Sequence, residues 1–414
     1  MPDSITARSI TARFHSALDE IDASAWNALL PDDNPFISHA FLAGLEQHGC
    51  LRADYGWQAH HLGLYESDRL IAAVPLYLKY NSHGEYVFDW SWASAYERAG
   101  LDYYPKLLAA VPYSPVTGAR LLVAGGQSAA TLRSTLAQTL SATTAGAGLS
   151  SAHVNFASED DAQAMSEAGW LPRFDWQFQW TNSPPAGGGR WTCFDEFLAD
   201  LTHKKRKNIR QERAQVARAG VVCQVRHGDE LSAGEWRSIH KLYLNTFAER
   251  GNHPALTLKF FQHLGAALPR QVLAVLCRRG DEIVAMALLL RSSTTLYGRY
   301  WGCRENVPGL HFEACYYQGI QYCLEHGLTR FEPGAQGEHK LARGFLPTRT
   351  RSFHFIADAR FRTAIGDALR REARLLENHG AELMAHSPYA SPAGDTDVSL
   401  ADDSGRNPKD PSQM

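Results

Sequence analysis

A mixed α/β protein built from two copies of one domain is what this 414-residue sequence predicts. Three observations predict it. A hairpin, an aromatic strand, a loop, a helix, a strand, a helix and a final strand can be read twice in the same order. The two readings share punctuation: Gly169-Trp-Leu-Pro172 and Gly344-Phe-Leu-Pro347 each open a strand, and Phe156 and Phe331 precede those glycines by the same interval, so the copies align at an offset of 175. Between them, Asn182-Ser-Pro-Pro-Ala-Gly-Gly-Gly189 has the composition of a linker. The expected layout is a first domain over 1–185, a second over 190–386 and a disordered tail over 387–414, where Ser, Pro, Gly and Asp replace apolar periodicity.

Composition narrows the class. Apolar residues make up 44% and charged residues 21%, values of an ordinary globular protein long enough for two or three cores. A net charge of -3 gives no global pull towards nucleic acid or anionic lipid, so any such affinity is local. The seven cysteines are scattered, without a C-x-x-C pair, which predicts neither a disulfide framework nor a zinc site. No signal-like apolar region opens the chain and no run reaches the ~18 apolar residues of a membrane span. A cytoplasmic protein is expected.

In chain order, residues 1–60 read as mostly helical, with Asp22 or Ser24 capping 25–30 and Ser38 capping 40–48. Residues 59–65 and 70–77 form a hairpin around Glu66-Ser-Asp68. Residues 86–92 read as an aromatic strand, 103–111 as a weak helix, 121–123 and 152–156 as strands and 129–145 as a helix. Ser158 caps a helix that ends at Gly169, and 173–180 alternates as a strand. In the second half, 194–219, 236–250 and 258–268 read as helices. Residues 272–277 and 283–290 make a second hairpin, 296–302 an aromatic strand, 310–326 a helix closed by Gly327, 328–331 and 349–356 strands, and 361–379 the last helix.

Chemistry concentrates between Arg304 and Leu346. His311, Glu313, Tyr317, Glu332, Glu338 and His339 crowd around one helix and one strand end, the pattern of titratable groups carried on a glycine-containing turn. The first copy has no equivalent His-x-Glu, which points to the second half as the reactive one. No helix-borne ligand pair such as H-E-x-x-H is present, so no metal site is expected. From Lys204 to Arg218 there are seven basic residues against one acid, Glu212. Like charges three and four apart on a helix repel, a cost that a bound polyanion relieves.

The element order resembles the GNAT acyltransferase domain, and two such domains in tandem resemble the Fem-type aminoacyltransferases. The closer similarity is to the FemAB-like peptidoglycan biosynthesis/recognition family. His203-Lys-Lys-Arg-Lys-Asn-Ile-Arg-Gln-Glu-Arg213, Leu310-His-Phe-Glu-Ala-Cys-Tyr-Tyr317 and the stretch from Glu332-Pro-Gly to Arg343-Gly-Phe345 carry it. The resemblance implies two tandem GNAT-like domains, each a mixed twisted sheet flanked by helices. It further implies transfer of an acyl or aminoacyl group to an amine, an acyl-CoA or aminoacyl-tRNA co-substrate with no tightly bound cofactor, and a link to peptidoglycan precursors. One departure is the loop Arg304-Glu-Asn-Val-Pro-Gly309, which has one glycine where the acetyl-CoA loop has two, and a proline that removes an amide donor.

Amine acylation needs a base, an oxyanion site and an acid for the leaving group. Glu313 is the first choice of base, and Tyr317, at i+4, the acid. His311 or His339 are alternative bases oriented by Glu332 or Glu338. Donor phosphates fall to Lys204, Lys205, Arg206, Lys207, Arg210 and Arg213, with Asn306, Gly309, Lys340 and Arg343 beside them. The other reading is a non-catalytic protein that binds tRNA or a cell-wall precursor on a decayed GNAT scaffold.

Overall fold

The structure is a computed structural model that describes residues 10–390 except 186, 250 and 336. Its first half runs β1 (Ile10–His15), α1 (Ala23–Asn27), α2 (His39–Gln47), β2 (Trp57–Ala59), β3 (His61–Glu66), β4 (Arg69–Val74) and β5 (Leu76–Lys79). It continues with α3 (Trp90–Arg98), β6 (Lys106–Ala109), β7 (Leu122–Val123), α4 (Ala129–Gly146), β8 (Ser151–Val154), α5 (Glu159–Glu167) and β9 (Leu171–Thr181). The caps are those expected: Asp22, Ser38 and Ser158 accept from the Ala25, Phe41 and Asp161 amides, donors a helix start leaves open.

The second half runs α6 (Phe194–Ala199), α7 (His203–Arg218), β10 (Val222–His227), α8 (Ala233–Glu249), α9 (Leu258–Ala267), β11 (Val272–Arg279), β12 (Glu282–Arg291) and β13 (Thr295–Cys303). Then come α10 (Leu310–Phe312), a π turn over Glu313–Tyr317, α11 (Gln318–Glu325), β14 (Arg330–Glu332), a 3-10 turn over Glu338–Arg343, β15 (Leu346–Ile356) and α12 (Ala359–Ala385).

The strands form a four-stranded sheet, β1-β3-β4-β7, and an eleven-stranded sheet, β10-β11-β12-β13-β14-β9-β15-β8-β6-β5-β2. The last strands of the two halves are exchanged. β9 pairs with β14 of the second half, and β15 pairs with β8 of the first. β9 and β15 then pair antiparallel with each other, and Asp175 lies opposite Thr350, the residue 175 positions on. That crossing is the local two-fold of the duplication. The offset does not hold in the strand before it. Trp180 pairs with Phe331, and its equivalent Phe355 pairs with Ala152, which puts Ala152 rather than Phe156 in the place of Phe331.

The exchange carries strand pairing and core contacts across the boundary expected near 185. Trp180 is fully buried and stacks 5.8 Å from Trp191, in the core of the second half. A second shared core joins α2 and the turn before it to α9 and β13, with Phe41–Phe260 and Phe36–Tyr297 centroids 5.5 and 5.3 Å apart. Residues 387–390, expected as part of the tail, are packed. Tyr389 stacks on Trp191, and the Thr202 amide donates to the Pro388 carbonyl. The tail's remaining residues, 391–414, lie outside those described.

Three local expectations change. β1 adds a strand to a region read as helical. Residues 103–111 hold β6, buried at all four positions, which is the continuous pattern of a strand covered on both faces. Residues 86–92 are a loop and the start of α3. Tyr86 has φ 61° there, outside strand geometry, while Glu85 and Asp89 turn inward to Lys106.

Candidate functional site

β13 and β14 run parallel only over Thr295–Tyr297 and Arg330–Glu332, with α10–α11 as the crossover, and then part. Gly298 lies where the strands part, and a Cβ there would stand 3.3 Å from the Pro333 Cα, tighter than ordinary contact. The first half has a matching parallel pair, β6 and β8. As β8 advances its partner moves from Ile356 to Phe353, and as β14 advances its partner moves from Thr181 to Trp180. Both pairs therefore end facing the Asp175–Thr350 crossing, and the ends of both halves meet in the middle of the molecule.

Glu332 is the last residue of β14. It is 3% exposed, and its Oε2 has no hydrogen-bond partner. Burial pushes its carboxyl above the ordinary value, against the pull of Arg299, Arg330 and Arg120. Arg299 donates from Nε to Ser114 Oγ at 2.8 Å and from Nη1 to the Gly298 carbonyl at 2.7 Å, lies 4.6 Å from the Phe36 ring centroid, and leaves Nη2 unpaired. Lys340 is 2% exposed and donates to the Gly334 carbonyl at 2.6 Å. Burial, aided by Arg299, lowers it to about 8. Arg120 is fully buried, with its Nε unpaired. Its backbone amide donates to Asp161, a carboxyl that burial raises to about 6. Both halves thus contribute incompletely satisfied polar groups to one place, which is costly unless a ligand completes them.

The other predicted residues fall into a neighbouring clip. Glu313 is held by Arg213 through two bonds, 3.0 and 3.1 Å, and by Gln318 at 2.7 Å. The π turn is the reason: its five-residue closure brings Gln318 against Glu313, where an α-helix brings Tyr317. Tyr317 instead donates to Glu212, which also takes both arms of Arg343. Arg343 lies 3.3 Å over the Phe312 ring. Gly309 has φ 82° and approaches the Glu212 backbone, where a Cβ would meet the carbonyl at 2.8 Å. Arg213, Arg343 and Gly309 therefore fasten α7 to the start of α10.

His339 is bonded to the Tyr316 hydroxyl at 2.8 Å, and burial lowers its imidazole. His311 packs 6.0 Å from it. Glu338 turns away and lies 3.6 Å from His379. Asn306 is exposed on its loop. Lys204, Lys207 and Arg210 are exposed on α7 and Lys205 half-buried, with no acid in ion-pair range of them among the described residues; Arg206 reaches the Leu201 carbonyl at 3.4 Å. Sequence reasoning missed Arg299, Arg120 and Ser114. The available signal was Arg299 itself, a charge inside the aromatic strand Tyr297-Gly-Arg-Tyr-Trp301.

Two fused mixed α/β halves, each with a parallel strand pair, define a tandem GNAT-like fold. The chain belongs to the FemAB-like family, described as peptidoglycan biosynthesis/recognition, whose model matches residues 17–391. No curated protein matches the chain. Among solved structures, it is similar to the C-terminal domain of a protein described as a lysylphosphatidylglycerol synthetase of Agrobacterium fabrum. That likeness has 13% identity and TM-score 0.50, over 85% of this chain and 96% of that one. It is also similar to FemX, with 11% identity and TM-score 0.48, over 86% of this chain and 100% of that one. No helix among the described residues is long and apolar enough to cross a membrane.

Proposed function

We propose that the protein is an N-acyltransferase that moves an acyl or aminoacyl group from a phosphate-bearing donor, aminoacyl-tRNA or acyl-CoA, to an amine of a peptidoglycan precursor. Glu332 is the base. The amine attacks the donor carbonyl, its proton passes to the Glu332 carboxylate, the C–N bond forms, and the same proton leaves with the oxygen or sulfur as the old bond breaks. Arg299 and Lys340 supply positive charge to the developing oxyanion. The exposed cations of α7 hold the donor's phosphates.

The single observation that supports this most is Glu332, a buried carboxylate with an unpartnered oxygen in the field of Arg299, Arg330 and Arg120. Glu313, with both oxygens engaged, holds α7 in place. The test is single-turnover assay of E332Q and E313Q with aminoacyl-tRNA and with acetyl-CoA, using a muropeptide acceptor. E332Q is expected to lose roughly 100- to 10,000-fold in rate with donor affinity unchanged. Wild-type turnover by E332Q would overturn the assignment, and donor binding at two salt concentrations separates tRNA from coenzyme A.

A further inference from the structure

Strand β10 ends the eleven-stranded sheet and pairs antiparallel with β11, and in that register Cys223 stands directly opposite Cys277. Directly opposed residues of an antiparallel pair have Cα atoms about 4.5 or 5.5 Å apart. Both spacings fall inside the ~4.4–6.8 Å that a disulfide spans. The side chains meet there as well: the two sulfurs are 3.1 Å apart, and both thiols are free. In sequence the two cysteines are distant and outside any C-x-x-C spacing, so only the strand register brings them together.

The two thiols are not equivalent. Cys223 is half-buried on the terminal strand, while Cys277 is buried completely. Contact with Cys223, and then burial, raise the Cys277 thiol well above its ordinary value. The thiolate is the form that reacts with an oxidant, so Cys223 is the one oxidised first and Cys277 the one that closes on it. Cys277 packs in one core with Val216 of α7, Val221 just beyond it, and Leu310 and Ala314 of the clip. A bond between the sulfurs therefore fastens the terminal strand behind α7.

We propose that Cys223 and Cys277 are a peroxide-sensitive latch, in which oxidation joins them in a cross-strand disulfide that holds β10 to β11. The Cys223 thiolate attacks one oxygen of hydrogen peroxide, the O–O bond breaks, and hydroxide leaves, with Cys223 now a sulfenic acid. The Cys277 thiol attacks the Cys223 sulfur, the S–S bond forms as the S–O bond breaks, and the thiol proton leaves with the hydroxide as water. Two electrons pass from the sulfurs to the peroxide, and a thiol reductant returns them by exchange. Nothing in this depends on the acyl-transfer reading.

The test treats the reduced full chain with excess hydrogen peroxide, alkylates the remaining thiols and digests with trypsin. Peptides 219–226 and 271–278, which carry the two cysteines, are expected joined in wild type and in C193S, and separate in C223S or after dithiothreitol. Cys193, exposed ahead of α6, is the control for unselective oxidation. Amide hydrogen exchange across 222–227, read on the same samples, is expected to slow about tenfold in the bridged wild type and not in peroxide-treated C223S. Sulfinic or sulfonic acid at Cys223 without a bridge overturns the proposal, as does a bridge from Cys223 to Cys303 or Cys315. A bridge that leaves exchange across β10 unchanged overturns the latch. Reduced and oxidised wild type carry the comparison themselves, without reliance on the folding of C223S.

Discussion

Lys340 carries a cost that nothing in the packing returns. Its ammonium is buried, held by one carbonyl, and lowered from 10.5 to about 8. A lysine whose folded value lies below its unfolded one binds fewer protons when folded, so stability rises with pH from about 8 to 10.5, and below 8 the whole penalty is present. K340M is therefore expected to stabilise the protein at pH 7, by at most about 3.5 kcal/mol since each unit of pKa is worth ~1.4 kcal/mol, and to abolish turnover. Denaturant unfolding of the two proteins at pH 7 and 10 measures the first effect, and the gain should shrink at the higher pH. Wild-type turnover should fall as pH rises through about 8, where the residue loses its charge; a rate flat to pH 9.5 would remove Lys340 from the chemistry. Such a residue was visible in sequence only as one cation in a polar turn. Its burial, and that of Glu332, comes from the meeting of two strand ends that are distant along the chain.

The helix α7 divides in two along its length. Its second half is structural, through Arg213 to Glu313 and Glu212 to Arg343 and Tyr317. Its first half leaves Lys204, Lys207 and Arg210 exposed without acids in ion-pair range among the described residues. K207E/R210E should then weaken donor binding and lower the salt dependence of log Kd against log salt by about 1.5 to 2, the share of two phosphate contacts. Filter binding of tRNA from low to moderate salt reads both, and an unchanged slope would return the basic run to a merely solvated face. Elements with caps and clean periodicity, such as α2, α5 and α9, were legible because local rules and packing agree there. The aromatic stretch 86–92 was not, because its rings face outward and its acids inward, the inverse of the pattern by which a strand is recognised. The π turn was equally hidden, and with it the true partners of Glu313 and Tyr317.

Duplication was legible in the repeated Gly-x-Leu-Pro, but the exchange of final strands was not. β9 and β15 have the same alternation whether each pairs within its own half or across, and only tertiary structure decides. The exchange makes the halves interdependent. Cut near 185, the first half would keep β9 without β14 and lose β15 from beside β8. The second would lose β9 from β14 and expose the Trp180 side of the Trp191–Phe197 cluster. Each would present unpaired strand edges and bare core, the condition for aggregation. Residues 1–189 and 190–414 expressed separately should therefore be insoluble or unfolded by circular dichroism, and co-expressed should form one stoichiometric, soluble complex, since every exchanged pairing is available to the two pieces together. A first half that is soluble and melts cooperatively alone would mean that β9 can pair within its own half, and that the two forks need not be built as one site.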